Sequence, residues 1–453
     1  MADSAGTAHD PAQLRRAVAS SFLGSMIEYY DFLLYATAAA VVFGTVFFPA
    51  LDPVAGLVAS LGTFAAGYLA RPVGGVLFGH FGDRFGRKRT LLTTMTLMGV
   101  VSFLIGVLPT YQQIGVWAPI LLTVLRILQG LAVGGEWGGG VLMSAEHARS
   151  RRGLWAGFTN AGGPSGMVVS TAVLTGCAAI AGEHGFLAWG WRIPFLLSIV
   201  LVAVGLYVRL KVAETPVFTA AARDRDAAAK IPLVDVLRNH PRTLLLAVGI
   251  GLAAFAAQGT LTTFVLAYGV HAGYSRQSLL GGLTLSSVLA VLGILGYSAL
   301  SDRLGRRPVV LGGAVTMALF GFALFPMVDT GKTTVMVLAL VLGQAAVHPA
   351  MYGPLAALYA ELFHTRSRYT GASLGYQLAA LGAGLAPLLF SAMLAQGIGT
   401  VWMSLIIAVL CLMTVLCVRA VPETSEITLD GESRHERGNR GATPQPPAVR
   451  KPR

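Results

Sequence analysis

The apolar residues of this chain are gathered into blocks of about 18 to 30, separated by short polar stretches. That length is what a helix needs to cross a hydrocarbon layer. Each peptide group inside such a layer must find its hydrogen bond within its own segment, so helix is the default conformation. Twelve blocks can be delimited: 17–48, 57–82, 90–108, 117–143, 155–181 and 191–210, then 244–268, 277–300, 309–328, 335–359, 370–395 and 401–418. Only 12% of residues are charged, against about 25% in a soluble domain. The sequence therefore specifies an all-α membrane protein.

Lysine and arginine placement orients the spans. Arg71 and Arg126 fall inside them, and Arg192, Arg276 and Lys332 fall on one side. Every other Lys and Arg falls on the opposite side with both termini, which the positive-inside rule makes cytoplasmic. The net charge of +12 then reflects topology and contact with anionic lipid. It implies no nucleic-acid partner, since no soluble fold carries a basic face. The first block contains Glu28 and Asp31 and is too long for a cleaved signal peptide. Cys177, Cys411 and Cys417 lie in apolar segments at spacings that suit neither disulfides nor a metal.

The chain divides into a tail at 1–16, a six-helix bundle at 17–210, a polar linker at 211–242, a second bundle at 243–419 and a tail at 420–453, expected to be disordered. The bundles repeat. After the second span stands Gly79-His80-Phe81-Gly82-Asp83-Arg84-Phe85-Gly86-Arg87-Lys88, and after the eighth Ser298-Ala299-Leu300-Ser301-Asp302-Arg303-Leu304-Gly305-Arg306-Arg307. Glu146 with Arg151 and Arg152 is likewise echoed by Glu361 with Arg366 and Arg368. Two echoes at nearly one period indicate a duplicated unit.

The loop from Gly79 to Lys88 resembles the signature loop of the major facilitator superfamily, and Arg126-Ile127-Leu128-Gln129-Gly130 resembles its fourth-helix motif. Glu28-Tyr29-Tyr30-Asp31-Phe32, Ala70-Arg71-Pro72-Val73-Gly74-Gly75, Val133-Gly134-Gly135-Glu136-Trp137-Gly138-Gly139 and Trp189-Gly190-Trp191-Arg192-Ile193-Pro194-Phe195 resemble the metabolite:proton symporters, most closely their shikimate-transporter branch. The resemblance implies two pseudo-symmetric bundles and secondary transport of a small organic acid with protons. Ser298 departs from the pattern, which begins the loop with glycine.

In the loops, Asp83, Arg84, Arg87, Asp302, Arg303 and Arg306 are expected to form a conformational latch, with Glu146 and Glu361 as partners for Arg87 and Arg306. Charges within the spans are costly and point to a site. They are Glu28, Asp31, Arg71, Arg126 and Glu136. Glu28, Asp31 and Tyr35 share one helical face. Glu28 and Arg71 both lie roughly 15 Å from the inner surface and can pair. Glu136 stands too far along its helix from Arg126 to pair with it. Asp31, nearest mid-membrane, is the expected proton carrier with Glu28 beside it. Arg126, next to Gln129, is the expected anchor for a substrate carboxylate, because guanidinium offers two parallel donors. Tyr35, Asn160, Gln258, Gln344, Tyr376 and Gln377 are the expected polar lining.

No phosphate-binding loop, catalytic triad or metal-ligand cluster is present, so neither an ATP-driven pump nor an enzyme is expected, and no cofactor is implied. The expected activity is proton-coupled uptake by a monomer. An exporter or antiporter on the same fold is the alternative.

Overall fold

The computed structural model describes residues 11–85, 87–137, 140–141, 144–145, 148, 150–211, 232–363 and 368–426. The first bundle comprises α1 (Pro11–Ala38, running on through a π-helical turn, Ala39–Phe43, to Phe47), α2 (Pro53–Phe85), α3 (Arg87–Val107), α4 (Trp117–Gly134), α5 (Arg152–Gly185) and α6 (Arg192–Lys211). The second comprises α7 (Pro241–Gly259, then a π-helical turn, Thr260–Phe264, then Val265–His271), α8 (Arg276–Leu304), α9 (Arg306–Asp329), α10 (Thr333–Val341, continued with breaks to Leu362), α11 (Arg368–Ala395) and α12 (Thr400–Ala420). Among the described residues, eleven segments are long and apolar enough to cross a membrane, and the shorter apolar helix Leu92–Val107, within α3, holds the third position.

Three boundaries differ from the sequence reading. Helix α1 starts at Pro11, inside the stretch read as a tail. The linker contains a short helix, Pro232–Asn239, before α7. Residues 421–426 are packed rather than loose: Thr424 is buried, and its hydroxyl donates to Glu361 at 2.7 Å.

Small residues bring the helices together. Side chains at Gly67, Gly130 and Gly134 would strike backbone or side-chain atoms of the facing helix, because the α2 carbonyls of Gly67 and Arg71 lie directly against Gly130 and Gly134 of α4. The spacing of four between Gly130 and Gly134 is the small-xxx-small pattern that permits backbone contact in lipid, where no hydrophobic force drives helices together. Gly162 and Gly166 of α5 face the α1 backbone in the same way. In the second bundle Gly259 of α7 abuts Ala383 of α11, and Gly293 of α8 abuts Ala345 of α10. The pairs α1–α5 and α2–α4 thus recur as α7–α11 and α8–α10. Between the bundles, α2 runs along α11 and α5 along α8. On the face opposite the termini, Arg276 at the start of α8 donates to the Val41 carbonyl in the π-helical turn of α1 at 3.0 Å.

Candidate functional site

On the face where α1 begins and α12 ends, the second copy of the duplicated loop is a hydrogen-bonded clasp. Asp302, at the end of α8, accepts from the backbone N–H of Gly153 at 2.8 Å and of Leu154 at 2.9 Å. These are unpaired donors of the first turn of α5, in the other bundle, where a carboxylate is favoured by both the free N–H groups and the helix dipole. Arg306 donates to Asp302 at 2.8 Å and reaches Glu361 through two nitrogens at 3.3 Å. Arg152 reaches the same Glu361 at 3.0 Å from across the seam. Glu423 completes the clasp by accepting from the N–H groups of Arg306 and Arg307 at the start of α9. Partial burial opposes ionisation of Glu423, but the backbone donors outweigh it and hold the carboxyl below the usual glutamate range. Arg303 is exposed. The side chains of Asp83, Arg84 and Arg87, and all of Glu146, lie outside the described residues.

Deep in the first bundle, a polar chain runs between the two residues expected to bind proton and substrate. The Arg126 guanidinium lies 3.7 Å from the centroid of Phe32 and 4.2 Å from that of Tyr35. It donates to Gln129 Oε1 at 2.5 Å, and Gln129 Nε2 donates to Ser102 Oγ at 2.8 Å. Ser102 also interacts with Asp31, whose Oδ1 accepts from the Ser198 hydroxyl. Arg126 and Asp31 feel each other's charge. The contacts of Arg126 described here all come from its own bundle. Tyr35 belongs to this interior too, bonded to Thr63 at 2.6 Å.

The seam between the bundles carries a second cluster. Tyr29 of α1 meets Tyr376 of α11 at 2.5 Å and Tyr352 of α10 at 3.3 Å, and the latter two meet each other at 3.0 Å. Trp137 stacks flat on Tyr376, with centroids 3.5 Å apart. Arg71 of α2 lies beside them. Its Nε donates across the seam to Gln377 Oε1 at 2.9 Å, while Gln377 Nε2 returns to the Gly134 carbonyl at 3.1 Å. Glu28 is within electrostatic reach of Arg71. Asn160 of α5 donates to the Tyr352 carbonyl at 2.9 Å.

The structure thus brings Asp31, Arg126, Gln129 and Tyr35 together inside one bundle, and Arg71, Asn160, Tyr376 and Gln377 together at the seam. Gln344 is elsewhere. It accepts from Ser286 at 2.5 Å and ties α10 to α8 within the second bundle. Gln258 and Glu136 are both buried. Sequence reasoning missed Tyr29, Trp137, Tyr352, Ser102 and Ser198. The first two stand inside motifs quoted above, but an aromatic in an apolar helix reads as packing.

Two repeated six-helix bundles, with guanidinium and carboxylate groups buried in and between them, define the architecture of a secondary transporter. The sequence pattern of the Major Facilitator Superfamily matches residues 21–387 and 282–452, and the chain belongs to that family of membrane transporters. It is similar to the shikimate transporter of Escherichia coli K12, 38% identical over 403 residues that cover 88% of this chain and 92% of that one. An inner membrane metabolite transport protein of the same strain is 38% identical over 382 residues, covering 82% and 86%. A proline/betaine transporter, also of that strain, is 33% identical over 392 residues, covering 84% and 78%. The xylose transporter XylE from E. coli, in a partially occluded inward open conformation, shares the fold with a TM-score of 0.69 at 18% identity, over 92% of this chain and all of that one.

Proposed function

We propose that this protein imports a small organic acid together with protons, working as a monomer in the inner membrane with both termini in the cytoplasm. The observation that carries the reading is the chain Asp31–Ser102–Gln129–Arg126, a carboxylate and a guanidinium linked through side chains that can pass on a change in charge. A carboxylate buried at this depth is costly unless paired or protonated. Its ionisation is therefore tied to what the nearby cations are doing. When a substrate anion draws on the positive charge of Arg126 and Arg71, Asp31 loses its compensation and takes up a proton. One monovalent anion and one proton add no net charge to the buried set, so the loaded carrier can reorient across lipid. Similarity to a shikimate transporter supports a hydroxylated carboxylic acid as substrate.

Reconstituted vesicles with an imposed proton gradient, offered radiolabelled shikimate and a panel of small acids, test the reading. Accumulation that collapses when the gradient is dissipated is expected. Uptake indifferent to the gradient, or acid-driven efflux of a preloaded compound instead of uptake, would exclude it.

A further inference from the structure

The seam cluster has a property that the interior network lacks: it is built from both halves, and it is closed by a side chain that imitates a carboxylate. Gln377 presents its amide oxygen to Arg71 Nε at 2.9 Å, a place on the guanidinium that a carboxylate oxygen also takes. The same side chain donates through Nε2 to the carbonyl of Gly134, so it holds α11 against α2 and α4 at once. Arg71 is only 1% exposed, and its Nη2 has no hydrogen-bond acceptor among the described residues. The groups facing it are Glu28 and Tyr29 from α1, Tyr68 on its own helix, whose hydroxyl also hydrogen-bonds to it, Arg126 from α4, and Tyr376 and Gln377 from α11, with the Phe32 ring 5.1 Å away. Its direct hydrogen bonds go to neutral groups, the Gln377 amide and the Tyr68 hydroxyl, and Nη2 is left over, so the bidentate pairing with an anion that a guanidinium makes most strongly is not filled.

We propose that Arg71 is the docking residue for the substrate's carboxylate and that Gln377 is its built-in competitor. The proposal rests on the organic-acid reading and names the site within it. A carboxylate arriving at the seam takes Nη2 of Arg71 and displaces the Gln377 amide oxygen from Nε. Once Gln377 swings away, its bond to Gly134 is lost, and α11 is released from α2 and α4. Binding and unlocking are therefore one exchange of partners. The hydroxyls of Tyr29, Tyr352 and Tyr376, already within 3.3 Å of one another, supply donors and acceptors for hydroxyl groups on the rest of the ligand. Neutral ligands lacking a carboxylate gain nothing from the exchange.

The experiment compares shikimate with its methyl ester, which keeps the hydroxyls and loses the charge, on the full chain in lipid nanodiscs. Binding is followed by calorimetry and by the fluorescence change expected from Trp137 as Tyr376 moves. Three variants are used. Arg71→Gln should weaken the acid about ten- to a hundredfold and the ester little, the size of a lost charge-assisted pair. Gln377→Ala should strengthen the acid several-fold relative to the ester, because the competitor is gone. Gln377→Glu places a carboxylate on Arg71 and should exclude the acid while sparing the ester. This last variant keeps the guanidinium paired, so it remains informative if Arg71→Gln does not fold. An acid-to-ester preference unchanged in Gln377→Ala and Gln377→Glu would overturn the proposal while leaving the organic-acid reading intact. If wild-type protein binds and transports no acid of the panel, that reading falls, and this assignment falls with it.

Discussion

Arg152, at the start of α5, donates to Glu361, near the end of α10, at 3.0 Å across the seam between the bundles. The same carboxylate also holds Arg306 and receives the hydroxyl of Thr424. One buried acid therefore joins the first bundle, α9, α10 and the segment after α12. Glu361→Gln should leave the protein inserted but bias it toward opening on the face of the termini. Stability should fall by roughly 3 kcal/mol, at the low end for a broken buried pair because Asp302 still holds Arg306. Spin labels on α5 and α8 read the opening, and Tm in detergent reads the loss. Unchanged label distances would show that the clasp does not control the conformational balance.

Asp302 contributes differently, because two of its acceptor contacts serve backbone N–H groups of the opposite bundle. Asp302→Asn keeps one acceptor oxygen but replaces the other with an NH2 donor, and it removes the charge that serves both the N-terminus of α5 and Arg306. It should weaken the clasp by about 1–3 kcal/mol, with the label distances on α5 and α8 widening. Unchanged distances would show that the contact with α5 does not hold the bundles together.

Asp31→Asn should abolish accumulation against a gradient while counterflow of substrate persists, since the amide still accepts from Ser198 but cannot take a proton. Ser198→Ala should leave coupling present and move its pH dependence. Proton uptake measured beside substrate uptake settles the matter. One-to-one proton flux retained in Asp31→Asn would transfer the role to another carboxylate, with Glu28 and Glu136 next.

Glu423 gives a pH prediction outside the membrane. Its folded-state pKa is depressed, so its contribution is fully present above the ordinary glutamate value near about 4.3 and is lost as pH falls through the lower folded value. Thermal melts of wild type and Glu423→Gln in detergent should therefore differ at neutral pH and converge in acid below that value. A difference that is constant with pH would show that the carboxylate acts through shape rather than charge.

Gly134→Ala tests the contact of α2 with α4. Its added methyl would meet the Arg71 carbonyl, and backbone cannot yield as a side chain can. A loss of about 1–3 kcal/mol is expected, or failure to insert. Gly176→Ala, in open space on α5, is the control and should cost nothing measurable.

The spans and the duplication were legible because lipid leaves so few choices: apolar length fixes the helices, and the echo of Asp83 in Asp302 marks the repeat. What Asp302 binds was only half legible. The sequence places it in a latch without naming its partner, and its cross-seam partners are main-chain donors that any residue supplies. Gln344 and Gln377 look alike in sequence, each a lone glutamine in an apolar helix. One bonds Ser286 inside its bundle and the other crosses to Arg71, because helix rotation and crossing decide direction and neither is written locally. Tyr29, Tyr352 and Trp137 escaped for a related reason: their polar atoms matter only once three helices meet.

The close seating of α2 on α4 has a consequence for how the two buried arginines communicate. Arg71 rides on the first helix and Arg126 on the second, and Gly67, Gly130 and Gly134 leave no slack for one backbone to slide along the other. The spacing of the two backbones that carry the guanidinium groups is then set by this contact. In the proposed mechanism, a signal from the seam to Asp31 therefore passes by side chains exchanging partners and not by one helix sliding along the other.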